Sequence, residues 1–146
     1  MKIEIEVPLH PTEGEARVRS AVSNLFPKVP LSLSQDVLHG SAEGRESAEA
    51  FRDVIFARRI LDTVRAALVS NLQNDRTHLL LHKQAAAAGK AVLASPGESP
   101  LGELRVQFFF NSPAELNWLA PETAKGRPID YPDDPKPLYS GFGTIP

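Results

Sequence analysis

The chain has 146 residues, 42% apolar and 23% charged, with 16 basic and 18 acidic side chains for a formal net charge of −2. A chain of this size buries roughly two-thirds of its surface in one core, and the absence of cysteine excludes disulfides and thiolate metal sites and fits a reducing, cytoplasmic compartment. No run approaches the ~20 apolar residues of a membrane span, and the charged, alternating start Met1–Glu6 lacks the apolar segment of a signal peptide.

Residues 2–9 alternate, with Ile3, Ile5, Val7 and Leu9 on one face and Lys2, Glu4 and Glu6 on the other, which predicts a half-buried strand. Thr12-Glu13-Gly14-Glu15 reads as a capping box. It opens a helix whose buried side carries Val18, Val22, Leu25 and Phe26, and Pro27 and Pro30 end it. Leu31, Leu33, Val37 and Leu38 predict one strand or two short ones, with Gly40 and Gly44 bracketing a turn. The longest helix is expected from about Ser47 to Leu72, on the stripe Phe51, Ile55, Leu61, Val64, Leu68 and Leu72.

A strand follows at residues 76–83, with Leu79 and Leu81 opposite His78, Leu80 and His82. Gln84 to Ala88 predicts a short helical turn capped by Gly89, and Lys90 to Ala94 a short strand. Residues 95–102 are turn chemistry throughout. Residues 103–110 predict a strong strand ending in Phe108-Phe109-Phe110, of which part is core and part interface. Ser112-Pro113 marks the start of a last helix carrying Leu116, Trp118 and Leu119. The expected fold is α+β: a mostly antiparallel sheet with two long helices on one face, a short C-terminal helix and a proline-rich tail. The domain is expected to span 1–128. The extended tail spans 129–146, with Tyr131, Leu138, Tyr139 and Phe142 available to dock.

Catalytic signals are absent. His78 and His82 are four apart, but in a strand they stand about 13 Å from each other, too far to share a metal. No serine sits in a strand-to-helix elbow, and no glycine-rich loop precedes a helix. No cofactor or metal is implied, and no enzyme is expected. Charge distribution says more. Residues 1–50 and 91–146 each carry net −3, whereas residues 51–90 carry seven basic and three acidic side chains, net +4. Arg58, Arg59, Arg65, Lys83, Gln84 and Lys90 could contact RNA, the cations at phosphates and Gln84 at a base or ribose. The competing reading pairs Arg58 or Arg59 with Asp62 along one helix.

Four segments in series carry a resemblance: Arg59-Ile60-Leu61-Asp62-Thr63-Val64-Arg65; Lys83-Gln84-Ala85-Ala86 with Gly89; Glu98-Ser99-Pro100-Leu101-Gly102; and Trp118-Leu119-Ala120-Pro121 with Thr123, Gly126 and Pro128. Together they resemble the archaeal uncharacterised protein family numbered 0201, described as RNA-binding-like, from the Lys2–Glu6 strand to about Pro128. The resemblance implies a fold similar to the ribosomal protein that binds 5S ribosomal RNA, and a homodimer. It points to Arg59, Asp62, Arg65, Lys83 and Gln84 as polar positions of interest, and to Pro100, Gly102 and Pro121 as backbone determinants. The chain departs from the family at His82 and in the alanine-rich 85–88 segment. The expected function is thus non-catalytic RNA binding as a homodimer. The alternative is a homodimeric protein-interaction scaffold, suggested by the three phenylalanines, the lone tryptophan and the tail.

Overall fold

The computed structural model describes residues 1–124 and 127–128. The predicted tail at 129–146, with Tyr131, Leu138, Tyr139 and Phe142, lies outside them. The alternating N-terminal segment forms β1 (Lys2–Pro8), the central strand of a five-stranded antiparallel sheet. Its neighbours are β3 (Val37–Glu43) and β5 (Leu104–Phe109), and the edges are β2 (Leu31–Ser34) and β4 (Arg76–Leu81), in the order β2-β3-β1-β5-β4. The uncertain 31–41 region is therefore two strands. They turn at Gln35-Asp36, where both residues have positive φ (50° and 62°), the geometry that keeps a two-residue hairpin in step with strand twist. Gly40 lies within β3, whereas Gly44 (φ 95°) makes the turn after it.

Period-two alternation sends Ile3, Ile5, Val7, Leu38, Leu79, Leu81, Leu104, Val106 and Phe108 into one core. Four helices cover that face: α1 (Glu15–Leu25), α2 (Glu49–Ala57), α3 (Leu61–Ser70) and, after β5, the C-terminal α5 (Pro113–Leu119). A fifth, α4 (Lys83–Ala87), packs on α1, where Asn24 Nδ2 donates to the carbonyls of Ala86 (2.9 Å) and Ala87 (3.2 Å). Phe26, Phe51, Phe108 and Phe110 form the aromatic centre, with ring centroids 5.1 Å apart for Phe26–Phe51 and 6.1 Å for Phe108–Phe110. The phenylalanine triplet thus divides between the two faces of the sheet, with its core part as predicted. Phe108 and Phe110 are core, while Phe109 faces the other side of the sheet, where Lys2 lies 5.7 Å from its ring.

Three expectations need correction. The single helix from Ser47 to Leu72 is a 3-10 turn (Arg45–Ala48) followed by α2 and α3, broken at Arg58-Arg59-Ile60. Lys90–Ala94 is not a strand. It makes one bridge, Leu93 to Leu81, because β4 ends there and the chain leaves the sheet at His82 to begin α4. The capping box does not form. Gly14 is the N-cap without a side-chain bond, since Thr12 is held by His10 (Oγ1 to Nδ1 2.8 Å) and Glu15 pairs with Arg19 (2.8 Å). The short helical turn ending at Gly89 (φ 75°) and the Ser112-Pro113 start of α5 match the sequence reading. Gly102 (φ 83°) is required sterically, because a Cβ there would approach Pro8 Cγ to 2.5 Å.

Candidate nucleic-acid interface

The six residues singled out from the sequence fall into two groups. Lys83 opens α4 with its side chain only 9% exposed. Its Nζ donates to Glu13 Oε1 (3.0 Å), to Leu101 O (2.7 Å) and to Pro8 O. All three ammonium protons therefore have internal acceptors, and the side chain ties the end of β1, the approach to α1 and the 98–102 turn to one point. Arg65, on the inner side of α3, is 8% exposed. Its Nη1 donates to Asn117 Oδ1 and Ala120 O (both 2.9 Å), and its Nη2 pairs with Glu122 (3.3 Å). Both cations were expected at phosphates, and both are occupied inside the protein.

The other four stay exposed: Arg58, Arg59, Gln84 and Lys90. Among the described residues no carboxylate lies within 4.0 Å of Arg58, Arg59 or Lys90. The helix ion pair anticipated between Arg58 or Arg59 and Asp62 is not made. The break turns these residues apart, and Asp62 instead accepts a hydrogen bond from Thr123 Oγ1.

The break itself is a helix cap of a defined kind. Ile60 N donates to Ile55 O (3.2 Å) and Arg59 N to Phe56 O (3.3 Å), with Arg59 at φ 55°. That is the paired bonding of a Schellman motif, and Arg59 stands where glycine is usual. Left-handed backbone costs an L-residue roughly 1–2 kcal/mol, and glycine's greater freedom in the unfolded chain takes back about 0.5–1. Arg59→Gly is therefore expected to stabilise the fold by about 0.5–1 kcal/mol in urea denaturation. A loss of stability would reveal a stabilising role for the side chain.

Gln84 faces a groove of about 660 Å³ between the start of α1 and α4, with exposed Arg17 also on its wall and Thr12, Glu13 and Leu101 around the Lys83 anchor. A smaller recess of about 300 Å³ adjoins it, where His82 Nε2 lies 3.0 Å from Glu98 Oε2. α1 packs against both α4 and α2, so the Gln84–Lys90 end and the Arg58-Arg59 turn belong to different helices of one layer.

Among the described residues no helix covers the other face of the sheet, which is mostly polar, with Leu80 and Phe109 among its apolar exceptions. Across β4 and β5 it presents Arg76, His78, Arg105 and Gln107, and across β1 and β3 it presents Glu4, Glu6, His39, Ser41 and Glu43. The register sets Glu6 between His39 and Arg105, and Glu4 between Ser41 and Gln107, around a shallow depression of about 480 Å³. Partial burial, with Arg105 adding to it, lowers the His78 pKa below the ordinary histidine value.

Sequence reasoning missed a second basic feature, at Arg45, Arg52 and Trp118. Arg52 Nε donates to Trp118 O (2.7 Å), and its guanidinium lies 4.2 Å from the Phe56 ring centroid and 5.0 Å from that of Trp118. Arg45 lies 5.5 Å from the same indole. Burial lowers the Arg52 pKa, Asp53 opposes this, and Arg45 adds to the lowering. The available signal was partial: Arg52 and Phe56 stand four apart on one helix, while Arg45 comes from the 3-10 turn before it.

These features describe a two-layer α+β protein with an open polar sheet face and exposed, unpaired cations on its helices. A family model described as RNA binding matches residues 2–107. A UPF0201 protein of Sulfurisphaera tokodaii is 37% identical over 134 residues, covering 88% of this chain and 92% of its own length. The chain belongs to the UPF0201 family. The fold agrees: the crystal structure of a UPF0201 protein from Methanococcus jannaschii superposes with a TM-score of 0.78 at 23% identity, covering 89% of this chain and all (100%) of that one. A second UPF0201 crystal structure gives 0.76 at 31% identity, covering 88% and 100%. Among the described residues no helix is long and apolar enough to cross a membrane, and no cluster of three or more metal-ligating side chains occurs.

Proposed function

We propose that this chain is a non-catalytic, cytoplasmic RNA-binding protein that acts as a homodimer, with Arg58, Arg59, Gln84 and Lys90 on the RNA. The family model's description supports RNA as the partner class. The observation that carries the residue assignment is Arg59, an exposed and unpaired cation held in left-handed backbone beside a second one, Arg58. Local strain that a glycine would relieve is a mark of a position kept for its side chain. Arg65 and Lys83, spent internally, serve the scaffold in this reading.

Anisotropy of a labelled single-stranded oligoribonucleotide tests the proposal. Three phosphate-neutralising cations, Arg58, Arg59 and Lys90, give a log–log salt slope of about −2, at ~0.7 per phosphate. Binding that is absent, or present with no salt dependence, would remove it.

The homodimer part draws on the open sheet face. Its β4–β5 half carries Arg76 and Arg105, while Glu4, Glu6 and Glu43 occupy the β1–β3 half with one cation, Lys2, paired to Glu4. A two-fold-related copy would set the basic half of one face on the acidic half of the other. Sedimentation checks this: a monomer at micromolar concentration refutes the dimer and leaves RNA binding standing. A dimer that binds no RNA would favour the scaffold reading.

A further inference from the structure

We infer that Arg45 and Arg52, gathered around Trp118, form a second anion site that takes a phosphodiester of the bound strand. The inference rests on the RNA reading above and adds to it a contact that lies on a different part of the helix layer from the Arg58-Arg59 turn.

The geometry is that of a guanidinium fixed in place and left partly unused. Arg52 is oriented by three contacts: its Nε on the Trp118 carbonyl at 2.7 Å, the Phe56 ring at 4.2 Å and the Trp118 ring at 5.0 Å. Its Nη1 and Nη2 donate to nothing among the described residues, and no carboxylate there comes within 4.0 Å of either Arg52 or Arg45. A side chain whose rotamers are already settled loses little entropy when its fork meets an oxyanion. Arg45 brings a second cation to the same indole, 5.5 Å from the ring centroid. The two guanidiniums repel, Asp53 and Glu49 offset this only from a distance and without an ion pair, and a phosphate placed between the arginines relieves the repulsion while accepting from both. Had the pair served packing alone, a single arginine over Trp118 would suffice. The exposure of Arg45 leaves the site open to a long polyanion.

The chain's one tryptophan, Trp118, is a built-in reporter. Oligouridylate carrying a 5′ fluorophore outside the tryptophan window is titrated while RNA anisotropy and Trp118 emission are both followed. The expected result is that both signals move with one midpoint, and that Arg45→Gln, an exposed change that spares the core, weakens binding roughly tenfold. Arg52→Lys keeps the charge but not the fork and should weaken it as well. A parallel titration with inorganic pyrophosphate separates a polymer site from a pocket for free phosphate: a response at far higher phosphate concentration than the oligonucleotide supports the assignment, and an equal response overturns it. Anisotropy that changes while Trp118 emission and the Arg45→Gln affinity do not would overturn this site and leave RNA binding intact. No anisotropy change in the wild type would overturn both.

Discussion

Lys83→Met is expected to lower the free energy of unfolding by about 3 kcal/mol, the low end for breaking a buried ion pair by removing one partner. In a domain of this size that corresponds to a fall in Tm of roughly 10 °C. Methionine keeps the apolar stem but supplies no donor, so the carbonyls of Pro8 and Leu101 lose their side-chain partner and Glu13 keeps a charge with only the His10 N–H beside it. Glu13 is 13% exposed on its side chain, so water compensates it poorly. Glu13→Gln should cost less, because the amide oxygen can still accept from Lys83, and the double variant Lys83→Met/Glu13→Gln should be better than the sum of the two. Urea denaturation of the four proteins measures this. A Lys83→Met variant as stable as wild type but unable to bind RNA would return Lys83 to the interface.

Arg65→Met is the companion case, with an expected loss of about 3–4 kcal/mol. The guanidinium fastens α3 to Asn117 on α5 and to the Ala120 carbonyl just beyond it. Two bonds from one Nη1 to two acceptors on a turning chain need the planar fork, so Arg65→Lys should recover only part of the loss. The ion pair with Glu122 contributes little of it, since that carboxylate is 37% exposed and screened by solvent. A loss below 1 kcal/mol by thermal or urea denaturation would contradict the structural role.

The sheet was legible in the sequence because alternation is local. Ile3, Ile5 and Val7 declare their face without knowledge of the partner strands, and β5 and the Ser112-Pro113 helix start do so equally. The break between α2 and α3 was also written there, though faintly. The stripe Phe51, Ile55 calls for apolar residues at 58 and 62, but those positions hold Arg58 and Asp62, and the pattern resumes one step out of phase at Leu61. The arginine at 59 hid it, since a glycine there would have announced the cap. The capping box misled for another reason: Thr12 and Glu15 had better partners than the helix start, in His10 and Arg19.

The fate of the cations was not legible at all. Charge counted along the chain gives a basic middle third, yet whether a cation is free depends on residues far away in sequence. Glu13 lies 70 positions from Lys83, and Glu122 lies 57 from Arg65. Two of the five predicted cations were removed from the surface in this way. Arg45, in the acidic first third, emerged as part of a basic site that no window of composition would have shown.

The most direct test of the assignment compares the salt dependence of RNA affinity in the wild type and in Arg58→Gln/Arg59→Gln, a pair of exposed changes. If these arginines sit on phosphates, the variant binds every sequence more weakly and its log–log slope is shallower by about 1.4, two phosphates at ~0.7 each. Superimposable salt curves for the two proteins would show that the turn between α2 and α3 does not touch RNA.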